Sequence, residues 1–253
     1  MIQAVLFDMG GTLHTCSDSP ARRIWFAQRL LERLSDYGID LDLTAQALSA
    51  QLAVNAEIYK HETEASLQEL PTEVIWNDYY LRQQRIGRER LAPISEELSF
   101  LYDYERVRNL RRPGLTECMR ALKDMGLRLG VISNIISKSI VPHFLAEYGL
   151  SEMMECVVTS AQTGVRKPSA EIFRIAQRQM NLSPDELAYV GDTLSRDVRG
   201  TRNAGWGLMI QIENPASAHR DAGLENSGLK PDYRIRELAQ IPPILAQIRN
   251  TGA

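Results

Sequence analysis

Short apolar runs that stop abruptly at polar residues recur along this chain, and they restrict what it can fold into. Ala4-Val5-Leu6-Phe7 ends at Asp8, Leu127-Arg128-Leu129-Gly130-Val131-Ile132 at Ser133-Asn134, and Leu187-Ala188-Tyr189-Val190 at Gly191-Asp192. An apolar run that is continuous rather than alternating is the pattern of a parallel strand covered on both faces. Between these runs stand helical segments with clear stops. Leu115 to Met125 is closed by Gly126, and Ile140 to Tyr148 by Gly149. Ala170 to Met180 leads to Ser183-Pro184-Asp185-Glu186, which has the form of a capping box. Val198 to Ala204 is a further helix. Cys156-Val157-Val158, Leu208-Met209-Ile210 and an edge strand at Tyr233-Arg234-Ile235 complete the set. This alternation predicts an α/β fold, a Rossmann-like parallel sheet core flanked by helices.

The region from about Ser19 to about Tyr104 is different, because nothing in it reads as a buried strand. Ile24, Phe26, Leu30, Leu31 and Leu34 repeat at helical spacing before Gly38. A second helical stretch follows Thr44, and a third runs around Val74 to Ile86. A fourth follows Ser95, read as its N-cap, with Glu96 and Glu97 in the first turn. The expected organisation is therefore a core of residues 1–15 and 113–253 and an inserted α-helical cap domain of residues 16–112 over the strand ends.

Composition narrows the classes. The 253 residues are 44% apolar and 24% charged, the balance of a globular chain with a substantial core. A net charge of −3 without a long basic run argues against a nucleic acid partner. Three cysteines, Cys16, Cys118 and Cys156, form no CxxC pair, which suits a reducing compartment. Met1 to Asp8 is too short for a signal-peptide core, and no apolar run approaches membrane-spanning length. A cytoplasmic protein with no membrane partner is expected, its oligomeric state left open.

Polar residues at the C-terminal ends of parallel strands converge on one crevice. Asp8 at such an end is costly to bury unless a metal or hydrogen-bond donors compensate. Thr12 offers a hydroxyl four residues on, and Gly10 and Gly11 allow close backbone approach. Ser133 and Asn134 add a hydroxyl and an amide. Lys167, between Arg166 and Pro168, can neutralise phosphate charge, and Asp192 with Asp197 supplies the hard oxygen ligands that suit Mg²⁺. Each segment alone has an ordinary reading as a turn or a charged loop. All of them in this order, each at a strand end, point to phosphoryl transfer through a covalent aspartyl intermediate with a divalent metal.

In these four segments the chain resembles the haloacid dehalogenase (HAD) superfamily, subfamily I, and its phosphatases in particular. Val165-Arg166-Lys167-Pro168 and Gly200-Thr201-Arg202-Asn203-Ala204-Gly205 extend the likeness. The resemblance implies a Mg²⁺-dependent hydrolase that removes phosphate from a small phosphorylated substrate. It makes Asp8 the nucleophile and Lys167 its catalytic partner, with Thr12, Ser133 and Asn134 around the phosphoryl group. Asp8, the Gly10 carbonyl, Asp192 and Asp197 would form the metal site. One residue departs from the pattern. Family phosphatases usually carry a second Asp two residues after the nucleophile, which protonates the leaving group and then activates water, and here that position is Gly10. Good leaving groups would suffer least from its loss.

His14, Asp18, His61 and Glu62 are candidates by residue type for the missing acid, or ordinary surface and hinge residues. Arg22, Arg23, Trp25, Trp76, Tyr79, Tyr80 and Arg82 are candidates for the substrate pocket, or for helix core and solvated face. The alternatives to a phosphatase are a metal-free haloacid dehalogenase, a phosphonatase using Lys60, and a weakly active phosphate-binding homologue.

Overall fold

The computed structural model describes residues 1–224 and 227–251; residues 225–226 and 252–253 of the expected core lie outside the described residues. Six parallel strands form the main sheet: β1 (Ala4–Phe7), β4 (Arg128–Ser133), β5 (Met154–Thr159), β6 (Leu187–Gly191), β7 (Leu208–Ile212) and β8 (Tyr233–Ile235). Two shorter strands, β2 (His14–Ser17) and β3 (Arg108–Arg111), pair antiparallel in a separate ribbon. Every strand expected from an apolar run is present. The ribbon strands escaped notice because their polar, half-exposed residues carry no burial pattern.

Alternate residues of β1 feed two cores. Val5 and Phe7 join one apolar cluster with Leu129, Val131 and Phe144. Ala4 and Leu6 join the other with Phe173, Tyr189 and Trp206. The strand order β5-β4-β1-β6-β7-β8 places β1 in the middle. The chain builds outward from β1 on one side through β4 and β5, then on the other through β6, β7 and β8. The crevice beyond β1 is therefore the point where the winding reverses, which is where open α/β sheets bind their ligands.

The segment between β2 and β3 is a helical insertion with its own core. Its principal helices are Pro20–Asp36, Ala45–Ser66 and Ser95–Glu105. Ser19 and Thr44 cap the first two through their side chains. Trp76, Tyr80, Phe26 and Leu48 fill the interior, and the Trp76 indole donates to Ser99 Oγ at 2.9 Å. Two expectations change in detail. The stretch around Val74 to Ile86 is wound as a π-helix over Ile75–Tyr80, with a 3₁₀ turn over Arg82–Gln84. Buried Asn55 donates from Nδ2 to the Tyr80 carbonyl at 3.0 Å and so holds the end of the widened turn. Ser95 is not an N-cap: Ile94 precedes the helix in a helical conformation, and the Ser95 hydroxyl is spent on Ala92 O and Thr72 Oγ1.

The insertion is fastened to the core at several places, among them the Arg196–Glu64 ion pair and the Tyr104 Oη donation to Glu147. Glu96 Oε1 accepts from Ser137 Oγ, Lys138 N, Ser139 N and Ser139 Oγ at 2.8–3.2 Å. Asp103 Oδ2 accepts from Ile136 N and Ser137 N. Buried Glu69 pairs with Arg166 and accepts from Tyr59 and Ser160, while Gln68 bridges to Val165. Both expected domain boundaries fall within or beside the β2–β3 ribbon. Among the described residues no helix is long and apolar enough to cross a membrane.

Candidate active site

Asp8 emerges directly from β1, its N–H still bonded to Val190 O of β6 at 2.9 Å. Its Oδ1 accepts from Lys167 Nζ at 2.8 Å and lies 3.4 Å from Ser133 Oγ. The turn that follows, Met9 to Leu13, is held by Leu13 N donating to Met9 O at 2.9 Å. Thr12 is wholly buried behind this turn, and its hydroxyl has no partner among the described residues.

Lys167 is the hub. Its ammonium, almost fully buried, donates to Asp8, to Asp197 Oδ1 at 2.7 Å and to Tyr189 Oη at 2.9 Å. Tyr189 in turn donates to Ile132 O. Asn134 bonds the lysine's backbone twice, accepting from its N–H at 2.8 Å and donating to its carbonyl at 3.0 Å. Burial opposes the ammonium charge, but the two carboxylates outweigh it and Lys167 titrates above the ordinary lysine range.

Asp8, Asp192 and Asp197 bring carboxylate oxygens within 4.8 Å of one another. One ammonium does not balance three such groups. Burial, then Asp197 and Asp8, push Asp192 up to about 7. Burial also raises Asp8, against the pull of Lys167. Only Asp197 is held low: burial works against it, but Lys167 and the Thr193 N–H and hydroxyl, at 2.9 and 2.6 Å, prevail. Both Asp197 oxygens are thus engaged by the protein. Asp192 Oδ2 accepts from Asn214 Nδ2 at 2.8 Å. A buried, under-neutralised set of hard oxygens fits a small divalent cation.

The glycines of the turn differ. A Cβ at Gly11 would stand 2.1 Å from Asp192 Oδ2, and its φ is +96°, so position 11 must be glycine for Asp192 to approach. Gly10 is outside the left-handed region, and a Cβ there would meet only His14 Nε2 at 3.8 Å and Cys16 Sγ at 3.9 Å.

Comparison with known proteins settles the family. The model for haloacid dehalogenase-like hydrolases matches residues 2–205. This chain belongs to that family. It is 28% identical over 256 residues to the glyceraldehyde 3-phosphate phosphatase of Methanopyrus kandleri, covering 98% of this chain and 100% of the relative. It is 29% identical over 167 residues to the phosphoserine phosphatase of Thermus thermophilus, covering 63% of each chain. The crystal structure of a 2-haloacid dehalogenase from Pseudomonas syringae superposes with a TM-score of 0.68 over 98% of this chain and 99% of that one, at 18% identity, a likeness of fold. The chain is thus a haloacid dehalogenase-like hydrolase whose relatives include phosphatases.

In this family member a cavity of about 620 Å³ opens between core and cap above Asp8. Ser133, Asn134, Lys167, Asp192 and Asp197 line it. His14 faces it, held through Nδ1 to Tyr148 Oη at 3.1 Å and packed against Phe144. Burial lowers its pKa to about 4, so the ring is neutral. Of the aromatic and arginine cap residues singled out in the sequence, Arg23 and Tyr80 line the cavity; Trp76 is core, and Trp25 lies under Arg22 on the surface. Asp18 reaches the cavity wall, while Glu62 bonds Tyr79 instead. Sequence reading passed over Arg106, Arg220, Asn214 and Tyr189. Asn214 had a usable signal, a polar residue just past the apolar run Leu208–Ile212; Tyr189 sat inside an apolar run and read as core alone.

Proposed function

We propose that the protein is a Mg²⁺-dependent phosphomonoester hydrolase acting on a small phosphorylated metabolite, with Asp8 as nucleophile. The observation that carries this reading is the buried trio Asp8, Asp192 and Asp197 around the single ammonium of Lys167. Asp8, Asp192 and the Gly10 carbonyl would hold the metal, with Asp197 supporting it through water because its own oxygens are engaged. The metal would supply charge neutralisation at the transferring phosphoryl group. Asp8 attacks phosphorus and the bond to the leaving oxygen breaks. Water then cleaves the aspartyl phosphate and regenerates the carboxylate. Lys167 holds Asp8 in place and offsets phosphate charge, and the Ser133 hydroxyl serves a phosphoryl oxygen, while Thr12, expected beside it, is buried behind the turn and does not line the cavity. Asn134 acts by fixing the Lys167 backbone. Residues 1–15 and 113–253 form the catalytic core, and residues 16–112 form the cap that closes over the substrate.

The test is hydrolysis of p-nitrophenyl phosphate with Mg²⁺ and after EDTA, beside the Asp8→Asn variant. Activity that vanishes with EDTA, and a variant that is folded but inactive, support the reading. A rate indifferent to EDTA would favour a metal-free dehalogenase, and substantial turnover by the variant would remove Asp8 from the mechanism.

A further inference from the structure

The backbone that carries Lys167 is gripped from two sides, and one grip belongs to the insertion. On the core side Asn134 brackets the lysine's own peptide groups. On the other side the residues leading into it, Gly164 to Arg166, pair antiparallel with Leu67 to Glu69. Arg166 N donates to Leu67 O at 3.0 Å, Glu69 N donates to Gly164 O at 2.9 Å, and Gln68 bridges to Val165 between them. Leu67 ends the helix Ala45–Ser66 with φ at +58°, in the left-handed region that a leucine rarely adopts. Such a conformation persists where surrounding bonds hold it, and here the Leu67 carbonyl is bonded to Arg166.

The side chains repeat what the backbone does. Glu69 reaches into the core beside Arg166, their side chains 1% and 9% exposed. Its Oε1 accepts from Tyr59 Oη within the insertion, and its Oε2 from Arg166 and from Ser160 Oγ at 2.6 Å. A serine hydroxyl has one proton to give. The shorter contact takes it to Glu69, and the oxygen then accepts the Ile135 N–H at 2.9 Å. Ile135 follows Ser133 and Asn134 directly. One carboxylate of the insertion is thus bonded towards both core loops that flank Asp8: through Arg166 to Lys167, and through Ser160 to Ser133 and Asn134. Fastening alone does not call for this arrangement, because desolvating two charges offsets much of their attraction and apolar packing of the same volume stabilises as well. A buried pair with every partner in place fixes one geometry instead. Glu96 also ties insertion to core, at Ser137 to Ser139, but it touches no residue next to Lys167.

We propose that Glu69 is a positioning residue for the catalytic lysine: bonded to Arg166 and Ser160, it sets the place from which Lys167 meets Asp8 and Asp197. The proposal rests on the phosphatase reading for the reaction in which Lys167 acts, and on the contacts of Glu69 for everything else. A misplacement of about 1 Å at a reacting group costs on the order of 10²-fold in rate. The effect of Glu69 therefore belongs in turnover and not in the binding of substrate.

Glu69→Gln, close in size, keeps an acceptor and loses the charge that Arg166 pairs with. With Mg²⁺ and p-nitrophenyl phosphate its kcat is expected to fall about tenfold or more, with KM within about threefold of wild type. Glu96→Ala, which loosens the other junction, should show the opposite split, a raised KM with kcat near wild type. Arg166→Lys, still able to pair with Glu69, should keep more of kcat than Arg166→Gln. If Glu69→Gln folds poorly, the double variant Glu69→Gln/Arg166→Gln buries no unpaired charge and should show the same fall in kcat. Labelling with acetic anhydride, read at Lys167 by mass spectrometry, needs neither substrate nor turnover. The buried amine should react roughly tenfold faster in Glu69→Gln than in wild type or Glu96→Ala. Faster labelling in a protein that hydrolyses no phosphomonoester would uphold the positioning and overturn the phosphatase reading. Unchanged labelling of Lys167 would overturn the positioning whatever the rates. So would hydrolysis with kcat unchanged in the Glu69 variants, or a Glu69→Gln that raises KM alone, as a fastener would.

Discussion

A side-chain Cβ at position 10 would have room. A Cβ there makes only ordinary contacts with His14 and Cys16, and the backbone is in a region open to any residue. Glycine at 10 is thus a chemical difference and not a steric necessity, unlike Gly11, where a Cβ would collide with Asp192. Wild type is expected to show rates that fall steeply with rising leaving-group pKa. Gly10→Asp should raise turnover of alkyl phosphates by about 10²-fold or more while leaving the melting temperature near wild type. A wild type that hydrolyses aryl and alkyl phosphates at similar rates would show that another group supplies the proton. His14 carries a second prediction. Its pKa falls from the ordinary 6.5 to about 4 because the ring is buried. Above pH 6.5 both folded and unfolded chains hold it neutral, and its contribution to stability is complete. As pH drops from 6.5 through 4 the unfolded chain takes up a proton that the folded one refuses, so about 3 kcal/mol is lost. Urea unfolding of wild type and His14→Asn should therefore converge, or cross, between pH 7.5 and 4.5; a difference independent of pH would mean that His14 is not held neutral. At this scale the sequence was most legible where chemistry sits at a strand end: Asp8, Ser133, Lys167 and Asp192 all line the cavity. It was least legible for side chains that act through others. Nothing in the spacing of Asn134 says that both its amide atoms would be used on the Lys167 backbone.

Among the elements, the helix Ser95–Glu105 shows why periodicity finds a helix but not its employment. Two acidic residues in its first turn suit the positive end of that helix. In the fold Glu97 pairs with Arg33, and Glu96 reaches across to the loop Ser137 to Ser139 that opens the helix Ile140–Glu147. Such a partnership joins residues some forty positions apart, so no local pattern reveals it. Glu96→Ala should cost about 1–2 kcal/mol in urea unfolding, the usual worth of a helix cap. It should also raise KM, since the loop it anchors follows Ser133 and Asn134 directly. A variant with unchanged stability would reduce Glu96 to a solvated surface charge. The six strands of the main sheet, by contrast, were readable, though β2 and β3 of the ribbon were not. A parallel strand buried on both faces must be apolar at every position, and that signal is local.

On the scale of the whole molecule, the cap interrupts a ribbon instead of hanging from a flexible linker. Ser17 and Arg108, the last paired residues before the chain leaves and after it returns, face each other in register. Paired residues of an antiparallel ladder lie about 5 Å apart, a gap that a two-residue Asn-Gly turn spans. Topologically, residues 18–107 are an ornament on a hairpin. Replacing them with such a turn should leave a core that still folds cooperatively and still cleaves p-nitrophenyl phosphate, at the lowered kcat of a chain lacking Glu69 and without the selectivity that cavity-lining residues of the insertion such as Arg23 and Tyr80 would supply. Circular dichroism melting and rates on a panel of phosphomonoesters read both outcomes. The same geometry makes the insertion exchangeable between relatives: a foreign cap with closely spaced ends and a carboxylate for Arg166 could be spliced onto β2 and β3 without shifting a residue of the sheet. Selectivity and catalysis would then be separately inherited parts of one polypeptide.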